Sequence, residues 1–297
     1  MPARDAGPGQ PVRCKEECNM TYHTKRVLAI HDLCSFGRCS LTAAVPVLSA
    51  MGFQCCPFPT ALFSNNLTYG DFTSVDCTAT MEQFMDKWQQ LKLPFDAIYS
   101  GFLANAGQIA VVRDAIRRFA GKDGLIVVDP AMADDGKLYP VFGPDIVPEM
   151  RKLIADATVI TPNYTEACML TDTPYAAEAS ADVLHGLCRK LADRGPRQIV
   201  ITSVPSAPDK ITVASYDAGK DAYDELVVDR IPFSTCGTGD LFTSVLTGSL
   251  LRGHSAAEGV AQAAGFLTKA ISFTYKAGSD YREGVQFEPC LAALVQD

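Results

Sequence analysis

The chain has 297 residues, 47% of them apolar, and a net charge of −8. That apolar content excludes a disordered chain and is enough for a large core. The acidic balance without a long basic run excludes a nucleic-acid binder, and no uncharged apolar stretch reaches the roughly 18 residues of a bilayer span. The N-terminus lacks the apolar segment of a secretory leader. The eleven cysteines, many in apolar runs (Cys55, Cys56, Cys168, Cys188), are therefore expected to be reduced core residues.

Residues 1–25 mix Pro, Gly and charge without periodicity and are expected to form a disordered tail, with Met20 an alternative start. A short strand is predicted over 26–31, a loop with Gly37 over 32–38, a helix over 40–51 and a strand over 53–58. The polar, aromatic stretch 60–73 reads as a long loop of the kind that carries function. Helices over 80–91 and 107–119 flank a strand at 97–99 that ends in Ser100-Gly101. The run 125–128 is continuously apolar, as in a parallel strand buried on both faces, and ends in Asp129-Pro130. Then come a helix (146–155), a strand (158–160), a helix start (164–170), a helix (181–194) and a strand (198–202). Two antiparallel strands, 210–216 and 223–231, turn through Gly219. Helices over 241–251 and 256–275 and a short one over 291–295 close the chain. This alternation predicts one doubly wound α/β domain over 26–297, with a mostly parallel sheet, antiparallel edge strands and helices on both faces. Ligands bind such sheets at the carboxyl ends of the strands. Asp32, Thr60, Ser100, Asp129, Asn163, Glu166, Thr202 and Asp240 are the polar residues expected there.

Ser234-Thr235-Cys236-Gly237-Thr238-Gly239-Asp240-Leu241-Phe242 follows an apolar strand-like run and opens a helix. A strand, a Gly-x-Gly turn and a helix start form an anion trap. The glycines allow a tight turn and close ligand approach, and the free N–H groups of the first turn favour negative charge. Asp240 is itself an anion in that trap. This makes chemical sense where Asp240 takes a proton from a hydroxyl while the N–H groups hold the phosphoryl group under attack. The same four residues also suit an ordinary turn and helix cap. There is no Gly-x-x-x-x-Gly-Lys-Ser/Thr, no Gly-x-Gly-x-x-Gly and no Gly-x-Ser-x-Gly, so a P-loop kinase, a dinucleotide dehydrogenase and a serine hydrolase lose their main support. Asp129, Asp134 and Glu166, if their strands are neighbours, converge at one sheet edge. Each alone also suits a surface acid or cap, but together they suit Mg²⁺ bound with substrate phosphates. Phosphoryl transfer is the economical reading.

These residues together resemble the ribokinase-like superfamily, and within it the pyridoxal kinases, over about 26–286. Gly237-Thr238-Gly239-Asp240 fits the superfamily signature. Phe63-Ser64-Asn65 with Tyr69-Gly70, Ser100-Gly101, Asp129-Pro130, Thr161-Pro162-Asn163 with Glu166, Ile201-Thr202-Ser203 and Glu283-Gly284-Val285 also match. The resemblance implies a ribokinase-like fold without a separate lid domain. It implies transfer of the ATP γ-phosphoryl group to the 5′-hydroxymethyl of pyridoxal, pyridoxine or pyridoxamine, in vitamin B6 salvage. Asp240 takes the general-base position, with Gly237, Thr238 and Gly239 holding the phosphoryl oxygens. Asp129, Asp134 and Glu166 are implied near Mg²⁺, Asn163, Glu166, Thr202 and Ser203 on the nucleotide side, and Thr161 and Thr202 near a monovalent cation such as K⁺. A cytosolic homodimer is implied, with neither nucleic acid nor membrane as partner.

On the substrate side, Asp32, Thr60, Phe63, Phe102 and Cys236 are expected around the vitamin. Asp32 stands where better-known members carry a serine, so a carboxylate here can pair with a pyridinium or an amine. Phe102 replaces a common tyrosine, and Leu62 stands in a segment where glutamine is frequent. Two other readings stay open: a hydroxymethylpyrimidine or other small-alcohol kinase of the same fold, and a non-catalytic vitamin or nucleotide binder.

Overall fold

The computed structural model describes residues 24–207 and 209–295; the expected tail, apart from Thr24 and Lys25, and the alternative start Met20 lie outside the described residues. In chain order the elements are β1 (Arg26–Cys34), α1 (Leu41–Ala50), β2 (Gln54–Phe63), β3 (Ser74–Asp76), α2 (Thr78–Gln90), β4 (Ala97–Ser100), α3 (Gly107–Phe119) and β5 (Leu125–Val128). A small hairpin, β6 (Ala133–Asp134) and β7 (Lys137–Leu138), leads to α4 (Ile146–Ile154), β8 (Val159–Ile160), α5 (Tyr164–Leu170), α6 (Ala181–Ala192) and β9 (Gln198–Pro205). The antiparallel pair β10 (Lys210–Asp217) and β11 (Ala222–Asp229) precedes α7 (Thr238–Leu251) and α8 (Ala256–Lys276).

Nine strands form one sheet in the order β11-β10-β9-β8-β5-β4-β1-β2-β3. The run from β9 to β2 is parallel, and β10, β11 and β3 are antiparallel at the two edges. Alternation along each strand divides the core between the two faces. Leu28, Ile30, Ile98, Val128, Ile160 and Ile199 face α2 to α6, with Met81, Ile109, Met150 and Leu184 among their partners. Val27, Tyr99 and Val127 face α1, and Val200 and Val213 face α1, α7 and α8. The expected doubly wound sheet with helices on both faces is therefore present. Among the described residues no helix is long and apolar enough to cross a membrane.

Four local expectations change. β1 runs on to Cys34, so Asp32 lies in a strand and not in a loop. β2 extends through Thr60 to Phe63, where a loop is expected, because Ala61, Leu62 and Phe63 pair with the edge strand β3, at a position where no strand is expected. That partner is fixed by the fold and leaves no local signal. β9 continues to Pro205 by pairing with β10. The last helix is a 3-10 segment, Glu288–Leu294.

Candidate active site

A cavity of about 520 Å³ opens at the carboxyl ends of the parallel strands. Asp32, Phe63, Phe102, Asp129, Asp134, Thr161, Asn163, Glu166, Thr202, Ser203, Cys236 and the Gly237–Asp240 loop all line it. The topology brings them together because β1, β4, β5, β8 and β9 are parallel neighbours and α7 starts above them. A second cavity of about 350 Å³ adjoins it across Thr238, Gly239 and Thr202. Its apolar wall, including Val228, Leu267 and Ile271, was not anticipated from sequence, since these residues have the pattern of ordinary strand and helix positions.

The glycine loop shows two different demands for glycine. Gly237 is the N-cap of α7, in a left-handed conformation at φ 83°, and a Cβ there would overlap the carbonyl oxygen of Arg38. A Cβ on Gly239 would meet only Asp129 Oδ2 at 3.6 Å, an ordinary contact. The fold requires the first glycine, whereas the second leaves space on the cavity side. The α7 start presents first-turn N–H groups without intrahelical partners.

Asp240 stands in the first turn of α7 with its side chain 15% exposed. The backbone N–H of Ser40 donates to its Oδ2 at 2.8 Å, and the Tyr99 hydroxyl donates to its main-chain oxygen at 3.3 Å. Ser40, just before α1, adopts φ 51° and ψ −129°. This is a strained conformation for a residue with a side chain. Its hydroxyl lies beside the Asp32 carboxyl and favours the charged form there. Neither role of Ser40 was legible in the sequence.

The floor of the cavity is acidic. Asp129 accepts from the Thr243 hydroxyl at 3.4 Å, and Thr243 shares a 2.9 Å hydrogen bond with Thr161. Burial, and then the charge of Asp240, push Asp129 up to about 8. Asp32 is pushed up to about 7 by burial, opposed by the Ser40 hydroxyl and reinforced by Asp240. Glu166 is fully enclosed, and its carboxylate accepts from the N–H groups of Met132, Ala133 and Asn163 at 2.9, 3.3 and 2.9 Å. Burial first and Asp129 second raise its pKa well above the usual carboxylate range, against those hydrogen bonds.

Asn163 and Glu166 form a reciprocal capping box on α5, and the Asn163 amide also donates to Ala133 O at 2.7 Å. Both residues thus shape the turn at 132–133 as well as lining the cavity. Asp134 is exposed on β6, and its Oδ1 accepts from the Asp135 N–H at 2.9 Å. No three His, Cys, Asp or Glu side chains among the described residues are grouped to cage a metal. Two carboxylates, Asp129 and Asp134, still fit Mg²⁺, which keeps waters and takes phosphate oxygens as ligands.

In another part of the cavity lining, Phe63 and Phe102 lie with ring centroids 6.4 Å apart at 67°. Thr60 differs from expectation: it is buried and absent from the cavity lining. Its hydroxyl donates to Phe102 O at 3.3 Å and its carbonyl accepts from Gln108 Nε2 at 2.8 Å, so it holds the wall from behind. Cys236 is half-buried. A hydrogen bond from Cys39 holds its thiol below the usual range despite burial, while Cys39, as the donor, is held well above. Ser203, in the left-handed region at φ 55°, ends the wall beside Thr202.

The family model described as phosphomethylpyrimidine kinase matches residues 37–284. A putative phosphomethylpyrimidine kinase from Bacteroides thetaiotaomicron, solved in an orthorhombic form with pyridoxal, is 42% identical with a TM-score of 0.89, over 92% of this chain and 96% of that one. Pyridoxal kinase from Lactobacillus plantarum is 32% identical with a TM-score of 0.84, over 91% and 96%. Among curated relatives, pyridoxal kinase PdxY of Deinococcus radiodurans is 28% identical over 280 residues, 86% of this chain and 89% of that protein.

Proposed function

We propose that this chain, which belongs to the family of phosphomethylpyrimidine and pyridoxal kinases, transfers the γ-phosphoryl group of ATP to the 5′-hydroxymethyl of a vitamin B6 vitamer. The observation that carries this reading is the placement of Asp240. A carboxylate fixed by the Ser40 N–H sits at a helix start beside Gly239, inside the cavity that also holds Asp32, Phe63 and Phe102. A non-catalytic binder has no use for a carboxylate at an anion trap.

The vitamer ring lies against Phe63 and Phe102, with Asp32 offered to the pyridine nitrogen or the amine. The acceptor hydroxyl points at Asp240, which takes its proton as the oxygen attacks phosphorus. N–H groups of Gly237, Thr238 and Gly239 hold the phosphoryl oxygens as charge develops on them. The nucleotide runs past Asn163, Thr202 and Ser203 toward the adjoining apolar cavity. Asp129 and Asp134 would hold Mg²⁺, with Glu166 behind them; bound there, the ion neutralises charge on the transferring group. Thr161 and Thr202 are the residues for a monovalent cation. A homodimer working in the cytosol completes the reading, on family resemblance.

A second reading, a hydroxymethylpyrimidine kinase, is favoured by the description of the matching family model and keeps every residue around ATP. The test is ATP consumption with Mg²⁺ and pyridoxal, pyridoxine, pyridoxamine or hydroxymethylpyrimidine as acceptor. Turnover with a B6 vitamer at a kcat/KM above that for the pyrimidine is expected. Turnover with the pyrimidine alone selects the second reading.

A further inference from the structure

One buried polar side chain beside this site has no part in the reaction as described. His31 lies in β1, next to Asp32, and is completely buried. Neither ring nitrogen has a hydrogen-bond partner among the described residues. Buried polar atoms are normally paired, so an imidazole with two unpaired nitrogens calls for an explanation.

The fold makes specific room for this ring. Gly101, at the end of β4, abuts it so closely that a Cβ there would overlap Nδ1 and Cε1. Tyr99 packs edge-on, 4.3 Å between ring centroids at 81°. The lodged ring places Nδ1 3.7 Å from Oδ1 of Asp240. Oδ1 is the carboxylate oxygen that Ser40 does not hold, since the Ser40 N–H is on Oδ2.

An ionised carboxylate can only accept, so a nitrogen that serves it must carry a hydrogen. At 3.7 Å the pair is just outside hydrogen-bond range, and catalytic hydrogen bonds are often long before substrate binds. Besides Asp240, the cavity lining supplies Asp32, Asp129, Asp134 and Glu166 but no Lys or Arg; His31 lies behind that lining. Donors on the base therefore have to be uncharged N–H or O–H groups.

We propose that His31 is a positioning residue for the general base. Its imidazole is the neutral Nδ1–H tautomer, and it donates to Asp240 Oδ1 when substrate closes the site. Ser40 N–H and His31 Nδ1–H then flank the carboxylate, one on each oxygen, and hold it aimed at the acceptor hydroxyl. This rests on Asp240 being the base, as proposed above.

The test has a spectroscopic arm and a kinetic arm. In imidazole ¹⁵N spectra of the wild type, His31 is expected as the Nδ1–H tautomer, with an Nδ1 shift that moves in Asp240→Asn. His31→Phe fills the same space without a donor. It is expected to lower kcat roughly 10- to 100-fold, the range for one hydrogen bond to a charged group, with KM for ATP and pyridoxal within threefold. His31→Asn, whose amide reaches the Nδ1 position, should recover more of kcat than His31→Gln. An Nε2–H tautomer, an Nδ1 shift indifferent to Asp240→Asn, or wild-type kcat in His31→Phe overturns the assignment. If His31→Phe does not fold, the spectra decide alone. Full kcat in Asp240→Asn would instead remove the base itself, so failure of this inference and failure of the proposed function are distinguishable.

Discussion

The backbone N–H of Ser40 donates to Asp240 Oδ2 at 2.8 Å, joining two residues 200 positions apart. Ser40 makes the bond at φ 51°, a conformation that costs a residue with a side chain about 1–3 kcal/mol. The strain is held where the N–H fixes one carboxylate, while the Ser40 side chain faces another, Asp32.

Two substitutions at Ser40 separate these contributions. Ser40→Gly keeps the N–H and adopts the conformation without steric cost. It should keep kcat within about threefold and Tm within a few degrees. Ser40→Val keeps the N–H but cannot adopt the backbone, and should lose about 1–3 kcal/mol of stability together with most of kcat. Thermal melts and initial rates on the two variants check this.

The two loop glycines should fail differently. Gly237→Ala drives a methyl into the Arg38 carbonyl at a positive φ, and should destabilise the protein by more than the roughly 1 kcal/mol of a conformational penalty alone. Gly239→Val has room on the protein side but projects into the cavity. It should melt within a few degrees of wild type while losing phosphoryl transfer. A fully active Gly239→Val would refute the close approach of phosphate to this turn.

Asp32 makes stability depend on pH. Its carboxyl stays neutral in the folded protein up to about 7, against an ordinary value of 3.8. The unfolded chain therefore gives up this proton first. The contribution is fully present below 3.8 and is lost as pH rises through about 7. Asp32→Asn removes the loss, so its Tm gain over wild type should grow by several degrees between pH 5 and pH 8. Asp32→Ser should also change the kcat/KM ratios among pyridoxal, pyridoxine and pyridoxamine, by roughly 10-fold or more for the vitamer whose cation it meets. Unchanged ratios would end that role.

The parallel sheet and the glycine loop were legible because each is written locally: continuous apolar runs such as Leu125–Val128, and a Gly-x-Gly-Asp turn between strand and helix patterns. Asp32, Asp129 and Asp240 were placed at the carboxyl ends of the strands by topology alone. What stayed hidden depends on distant partners. β3 exists only because β2 offers it an edge. Thr60 turned away from the cavity because Gln108 and Phe102 take its polar atoms. Ser40 and His31 gain their meaning from Asp240, and a histidine in an apolar strand gives no sign of that. Asn163 and Glu166 carry a visible cap signature, Asn-x-x-Glu, and form that cap while also lining the cavity.

Pyridoxal-dependent ATP turnover in wild type and Asp240→Asn, with nucleotide affinity measured on both, decides whether Asp240 is the general base. Turnover in the wild type, a loss in kcat of about 10²–10⁴ in the variant, and nucleotide affinity unchanged within a few-fold are expected. A variant that turns over at the wild-type rate, or that loses nucleotide binding in proportion to its rate, would contradict that role.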